Sequence, residues 1–223
     1  MFRFKGISSE DMNVIIEEEE HFLTKASQRY EMTEIEGRDG AIFDEYGYAV
    51  VDRPIKVQIL DKNKLDLILA WLDGVGEFEY KGRITKARFY NEVIPERSAN
   101  IKIADFTFIR NPFWNKKDDE FIEVGNFIYN FGNIYSEPII RLEKKTSNNV
   151  DITINNLRFE YNFNNESYVE INSEEKTVLY DGLNRNRKIE MGYEFPILQT
   201  GENKVIINSG DVLIKVKRKD RWL

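Results

Sequence analysis

Cysteine is absent from all 223 residues. That excludes disulfides, thiol catalysis, iron–sulfur clusters and cysteine-ligated zinc. Histidine occurs once, at His21, directly behind the run Glu17 to Glu20. A multi-histidine metal site is thereby excluded, as is a Ser-His-Asp triad built elsewhere in the chain. A metal site made of those glutamates and His21 is disfavoured, because neighbours on a strand point to opposite faces. A solvated acidic run is the simpler reading. The N-terminal stretch MFRFKGISSED holds no apolar h-region, so no signal peptide is read. No window is apolar for long enough to span a bilayer. The expectation is a soluble protein, made in a cytoplasm and not membrane-bound.

What is present suits packed β structure. Hydrophobic residues make up 41% of the chain and aromatics 13%, enough for one large core or two small ones. Charge is unevenly placed. Residues 1–125 hold 18 Lys and Arg against 25 Asp and Glu, a net of −7, while residues 126–223 hold 14 of each. The front half is therefore a poor grip for nucleic acid, since phosphate affinity depends on basic surface. It suits a surface that lets a polyanion pass without sticking.

Taken in order, Phe2 and Phe4 alternate with Arg3 and Lys5 as a short strand does, and Val14 to Ile16 is a second short run. Arg29 to Glu36 reads as a strand with Tyr30 and Met32 on one side. Gly37 to Gly40 is a tight turn, and Tyr46 to Val51 and Ile55 to Leu60 are two further strands. The spacing of Leu65, Ile68, Leu69 and Leu72 predicts one helix over Lys62 to Asp73, capped by Asp61 and ended at Gly74, with Trp71 off the apolar stripe. Phe78 to Tyr80, Ile84 to Ile94 and Ile101 to Ile109 add strands. In the last of these the alternation slips at Ala104-Asp105, which implies either a bulge or a strand covered on both faces. Asn111-Pro112 then breaks pairing. Arg110, Pro112, Phe113 and Trp114 stand at this break, ahead of the charged run KKDDE. They are read as a domain seam, with a loop folded back on its own core as the alternative.

The rear half is rich in asparagine and almost wholly β. Leu157, Phe159, Tyr161 and Phe163 alternate with polar residues, and turn signals recur at the spacing of a sandwich. Thr200 to Asn203 and Asn208 to Asp211 read as hairpin turns. Val212, Ile214 and Val216 are expected to face inward. The division is placed at Gly125, giving domains 1–125 and 126–223.

Little here carries chemistry. No segment shows a nucleophile elbow, a zinc helix or a dinucleotide fingerprint, and Gly37 to Gly40 lacks the lysine of a phosphate loop. The chain is not expected to be an enzyme, to bind a metal or to need a cofactor. Exposed tyrosines of the sandwich could stack on sugar rings, with Tyr168, Tyr180 and Tyr193 as the candidates; core or rim packing fits them equally well. A carbohydrate-binding adhesion module is thus the alternative function.

In this order, several features resemble the distal tail protein (Dit) family of long-tailed siphovirus phages of Gram-positive bacteria. They are the opening MFRFKGISSEDM, the GRDGA turn, the block IKVQILDKNKLDLILAWLDG, the strand and break IKIADFTFIRNPFW, the sandwich opening GNIYSEPIIRL, and the closing stretch from TVLYDGLNRNRKIE to the end. The resemblance implies a mainly β fold: a ring-forming N-terminal domain with one packed helix, related to tail-tube proteins, and a C-terminal galectin-like or carbohydrate-binding-module-like β-sandwich. It implies a virion protein of the tail tip or baseplate. There, a six-membered homo-oligomeric ring would join the tail tube protein to the tail-tip (tail-associated) protein, let DNA pass without specific binding and support host adhesion. Tape measure and receptor-binding proteins are further candidate partners.

Overall fold

Phe2, Phe4, Phe78, Tyr80, Phe89, Phe106 and Phe108 all fall on the inward parity of their strands, and each is buried. That aromatic pattern builds the first of two units, Met1–Lys117, in a computed structural model that describes residues 1–17, 19–98, 100–192 and 194–223. Its antiparallel sheet runs in the order Ile7–Ser8, Phe2–Phe4, Gly74–Tyr80, Arg83–Phe89, Ile101–Arg110, Val51–Ile59, Val14–Ile16. The rings pack closely in tilted and stacked pairs: Phe78 lies 4.8 Å from Phe108 and 4.7 Å from Phe22, both tilted.

The helix is shorter than its pattern. A 3-10 turn at Lys62–Lys64 precedes an α-helix at Leu65–Trp71, and Asp61 caps the start by accepting the Asn63 N–H at 3.0 Å. Trp71 is not off the packed face. It is buried with Ile68 and Leu72, stacks on Phe2, and its indole N–H donates to the Phe4 carbonyl at 2.8 Å. A tryptophan can take a core place where its one polar atom finds an acceptor.

The Ile101–Arg110 strand holds one unbroken register with Val51–Ile59, from Lys102↔Ile59 to Arg110↔Val51. Hence the slip at Ala104-Asp105 is no bulge there. Ala104, Phe106, Phe108 and Arg110 form the buried row, and Ile101, Ile103 and Ile109 are half-buried on the other face. The second face is thus only half covered, with Asp105 exposed on it. Val51–Ile59 also runs straight through Asp52-Arg53-Pro54. The missing N–H of Pro54 falls opposite Thr107, whose own N–H donates to the Asn91 side chain at 2.5 Å.

The second unit, Asp118–Trp222, is a two-sheet sandwich. One sheet runs Ile122–Glu123, Val212–Lys217, Ile139–Lys144, Tyr168–Asn172, Thr177–Tyr180, Leu183–Asn184. The other runs Phe127–Asn130, Gly201–Ser209, Asn149–Ile154, Leu157–Asn162, Ile189–Met191. Their inner rows, among them Ile140, Leu142, Ile152, Phe159, Val169 and Ile214, make one closed core. Residues 118–125, assigned to the front half on sequence, lie with this unit, because Ile122 and Glu123 pair with Val216 and Lys215. Asn208 to Asp211 is not a hairpin turn. The strands on either side of it belong to different sheets, so the chain changes sheet at Gly210.

Candidate functional site

One element of the first unit lies outside its sheet. Strands Gln28–Glu34 and Ala41–Tyr48 pair only with each other, turning at Gly37 and Gly40, both with positive φ. The second strand starts ahead of the expected Tyr46 and ends at Gly47-Tyr48. This arm is solvated nearly everywhere, and every residue of Gln28–Glu34 is exposed. Its register sets Tyr30 opposite Glu45, Met32 opposite Phe43 and Glu34 opposite Ala41, so these side chains share one face. On that face Tyr30, Met32 and Phe43 are 59%, 52% and 59% exposed, and the Tyr30 and Phe43 rings lie 5.7 Å apart. The other face pairs the Tyr46 hydroxyl with Glu31 at 2.9 Å. A lone two-stranded hairpin is at best marginally stable in water. This arm also leaves three large apolar side chains in solvent, where such surface is costly.

The residues at the break after Ile109 sit at the root of this arm. Arg110 is buried, and its guanidinium donates to four main-chain carbonyls: Phe22 at 3.1 Å, Thr24 at 2.5 Å, Asn111 at 2.7 Å and Pro112 at 2.9 Å. Burial pulls its pKa down to about 10. Trp114 is fully buried beneath it, against Phe78 and Tyr80. Phe113 is half-buried and meets the Tyr48 ring edge-on at 5.2 Å. Thr24 and Tyr48 flank the two ends of the arm, which are also tied by the Ala49 N–H donating to the Ser27 carbonyl at 2.8 Å. Arg110 and Phe113 therefore tie down the two ends of the arm, with Trp114 beneath Arg110 and the Pro112 carbonyl accepting from it.

In the second unit the candidate sugar-stacking residues are engaged elsewhere. The Arg141 guanidinium lies 3.9 Å from the Tyr168 ring centroid, and Tyr168 meets Tyr180 edge-on at 5.2 Å. Arg141 is itself part of an ion-pair row across the sheet, from Lys215 through Glu143 to Glu170. A ring face occupied by a guanidinium is not open to a sugar. Tyr193 lies outside the described residues. A buried charge in this unit is Glu166, 4% exposed. Burial alone raises its pKa, but Lys188, the Asn164 N–H and Arg185 outweigh that and hold it down to about 2. These groups are saturated by one another and hold loops. Among the described residues no group of three or more His, Cys, Asp or Glu is placed to hold a metal ion, and no helix is long and apolar enough to cross a membrane.

The sequence pattern located the first arm strand and the turn, but set the second strand at Tyr46 to Val51 instead of Ala41–Tyr48, and did not show the arm's exposure. The signal was there in part: alternation in Arg29 to Glu36 sets apolar residues on one side.

Two findings place the molecule in a class. Residues 131–222 match the family model described as siphovirus-type tail component, C-terminal domain. Across its full length the chain has the fold of a solved distal tail protein. The crystal structure of SPP1 Dit (gp 19.1), described as a paradigm of the hub adsorption apparatus in phages infecting Gram-positive bacteria, aligns with a TM-score of 0.75. That alignment covers 100% of this chain and 98% of that one at 9% identity. By sequence the second unit is thus similar to a siphovirus-type tail component domain, and the whole chain shares the fold of that Dit protein. A structure of the phage P2 baseplate in its activated conformation aligns with a TM-score of only 0.40, at 11% identity over 96% of this chain and 93% of that one. No curated protein matches the chain.

Proposed function

We propose that this tail component is a ring-shaped hub of the tail tip: a six-membered assembly joining the tail tube to the tail-tip protein, open at its centre for DNA and supporting host adhesion. The observation that carries the reading is the arm. A hairpin with its own free edges and an uncovered apolar face needs a neighbouring chain. In a homo-oligomer such a projecting element makes a contact between unlike surfaces, which closes into a ring when the rotation per copy allows.

Charge supports the central opening. The arm, residues 28–48, holds two Arg against six Asp and Glu, a net of −4 out of −7 for the chain. Anionic arms gathered round an opening repel a passing phosphate backbone instead of trapping it. The saturated polar groups around Tyr168 support a scaffolding role for the sandwich over a lectin role.

Light scattering on the purified chain, with negative-stain images of the same sample, tests this reading. The expected result is a closed ring of about six copies with a hole. A chain that stays monomeric at the highest attainable concentration, with or without its tail-tube neighbour, would sink it.

A further inference from the structure

The Tyr168 ring is occupied, but the other sheet of the sandwich presents an aromatic strip that is not. On strand Phe127–Asn130 the parity that buries Ile128 and Asn130 turns Phe127 and Tyr129 outward, each 51% exposed. Tyr129 is steadied from behind: Phe131 meets its ring at 4.7 Å, and Arg218 donates to its carbonyl at 3.2 Å. Phe127 meets no other ring or cation among the described residues. Register sets Phe127 opposite Lys204 and Tyr129 opposite Glu202. The next outward residue of the neighbouring strand, Ile206, is exposed, and a hollow of about 500 Å³ is lined by Phe127, Lys204 and Ile206 among others.

A polar network stands across the same face. The register shift between Asp151 and Ile152 leaves Asn208 without a partner across the ladder. Its amide turns instead to Asp151 at 2.9 Å and Thr153 at 2.8 Å, as bulges commonly re-aim a side chain. Arg158 grips Asp151 through Nε at 3.0 Å and Nη2 at 2.7 Å, and reaches Glu160 at 2.8 Å. Arg158 and Asn208 together hold the Asp151 carboxyl below its ordinary range. The network is fixed yet not saturated. Among the described residues Arg158 Nη1 and Asn208 Oδ1 have no partner, and the Thr153 hydroxyl accepts without donating. Fixed donors and acceptors beside open rings suit a pyranose, whose C–H face lies on a ring while its hydroxyls find partners already in place. Charge narrows the ligand further. Lys204 and Arg158 stand against Asp151, Glu160, Glu202 and Glu190, the last opposite Glu160. A face with that balance repels phosphate and uronate groups.

We propose that the outer face of this sheet binds a neutral oligosaccharide, with one sugar ring on Phe127 and Tyr129 and a later one hydrogen-bonded to Arg158 and Asn208. Strand Phe127–Asn130 and strand Leu157–Asn162 are three strand spacings apart. That is about 14 Å, so the ligand is a short chain and not a single sugar. The site gives the adhesion part of the hub reading a ligand, and it does not need the ring. One copy binds as it stands, and a ring of copies multiplies a weak contact.

A printed array of neutral and anionic oligosaccharides, probed with the full chain displayed on streptavidin, tests the ligand class. Short neutral chains are expected to bind, and phosphorylated or uronate-bearing ones are not. Calorimetric titration with the tightest neutral probe from the array then tests the site. Phe127→Ala with Tyr129→Ala, and separately Arg158→Met, are each expected to weaken binding roughly tenfold or more. Tyr168→Ala, on the other sheet, should leave it within about twofold of the wild type. Unchanged far-UV circular dichroism certifies that the variants fold; the two aromatic positions are exposed and carry no core packing. If no neutral probe binds, or anionic ones bind better, the proposal falls and the hub reading, judged by the ring, stands. If the aromatic pair can be removed without loss, or Tyr168→Ala abolishes binding, this face is not the site.

Discussion

The Arg110 guanidinium lies 5.1 Å from the centre of the Trp114 ring, and from that seat it gathers the carbonyls of Phe22, Thr24, Asn111 and Pro112. Its planar fork carries more donors, in a fixed arrangement, than an ammonium does. Arg110→Met keeps the bulk over Trp114 but leaves those acceptors without their cation. The expected loss is about 3 kcal/mol, and Arg110→Lys should lose about 2, both read as shifts in urea midpoint at unchanged slope. The clamp holds Thr24, so Arg110→Met should also speed amide exchange in Gln28–Glu34 more than in Gly74–Tyr80.

The arm itself should be the least protected part of the first unit while the chain is dilute. Amides of Gln28–Glu34 and Ala41–Tyr48 are expected to exchange within the first time points, because only their own pairing shields them. On raising the concentration into the assembled range they should slow by roughly tenfold or more, while Ile101–Arg110 stays unchanged. Equal arm exchange in both states would contradict the covered arm.

Glu166 makes the second unit sensitive to acid. Its folded pKa of about 2 lies below the ordinary 4.5, so the folded state binds the proton less readily than the unfolded chain. The carboxylate's stabilisation is complete above the unfolded value and is lost as pH falls from there through about 2. Removing the charge should leave Arg185 and Lys188 without their partner. Glu166→Gln is therefore expected to cost about 3 kcal/mol at pH 7 and much less at pH 2.5. Urea titrations of both chains across that range check the convergence; parallel curves would refute it.

Two glycines separate backbone strain from crowding. Gly182 has φ +74° and open space where a side chain would start, whereas Gly210 has φ +88° and a Cβ there would fall 2.4 Å from the Asn149 carbonyl oxygen. Gly182→Ala should cost about 1 kcal/mol for the left-handed conformation alone. Gly210→Ala must also displace backbone at the point where the chain changes sheet, and about 3 kcal/mol or more is expected. Thermal midpoints of the two variants give the comparison directly.

Much of the fold was legible because period-two alternation survives wherever one face is buried. Val212, Ile214 and Val216 point inward as their spacing demands. Legibility failed where a polar side chain does the work of a main chain. Thr200 to Asn203 looks like a turn, yet residues 201–203 begin a strand and Asn203 is fully buried. Its side chain exchanges hydrogen bonds with both main-chain groups of Gln199 and reaches the Ile128 carbonyl. Composition cannot distinguish such an asparagine from a solvated one. The arm was half legible: its first strand and turn are in the pattern, its second strand was set too late at Tyr46, and exposure is a property of what surrounds a residue. Arg110, Phe113 and Trp114 stood out as large side chains beside a proline. What they hold, Thr24 and Tyr48, is far away in the chain and carries no local mark.

The Ala41–Tyr48 strand passes through Ala49 and Val50 directly into Val51–Ile59, which is laddered to Ile101–Arg110 over nine registered pairs. Tension applied to the arm thus enters the unit lengthwise along two paired interior strands. Sliding those strands past one another loads the rungs together, whereas peeling an edge breaks them singly. A copy hauled by its neighbour would resist as a lap joint does, and would yield last where it is gripped.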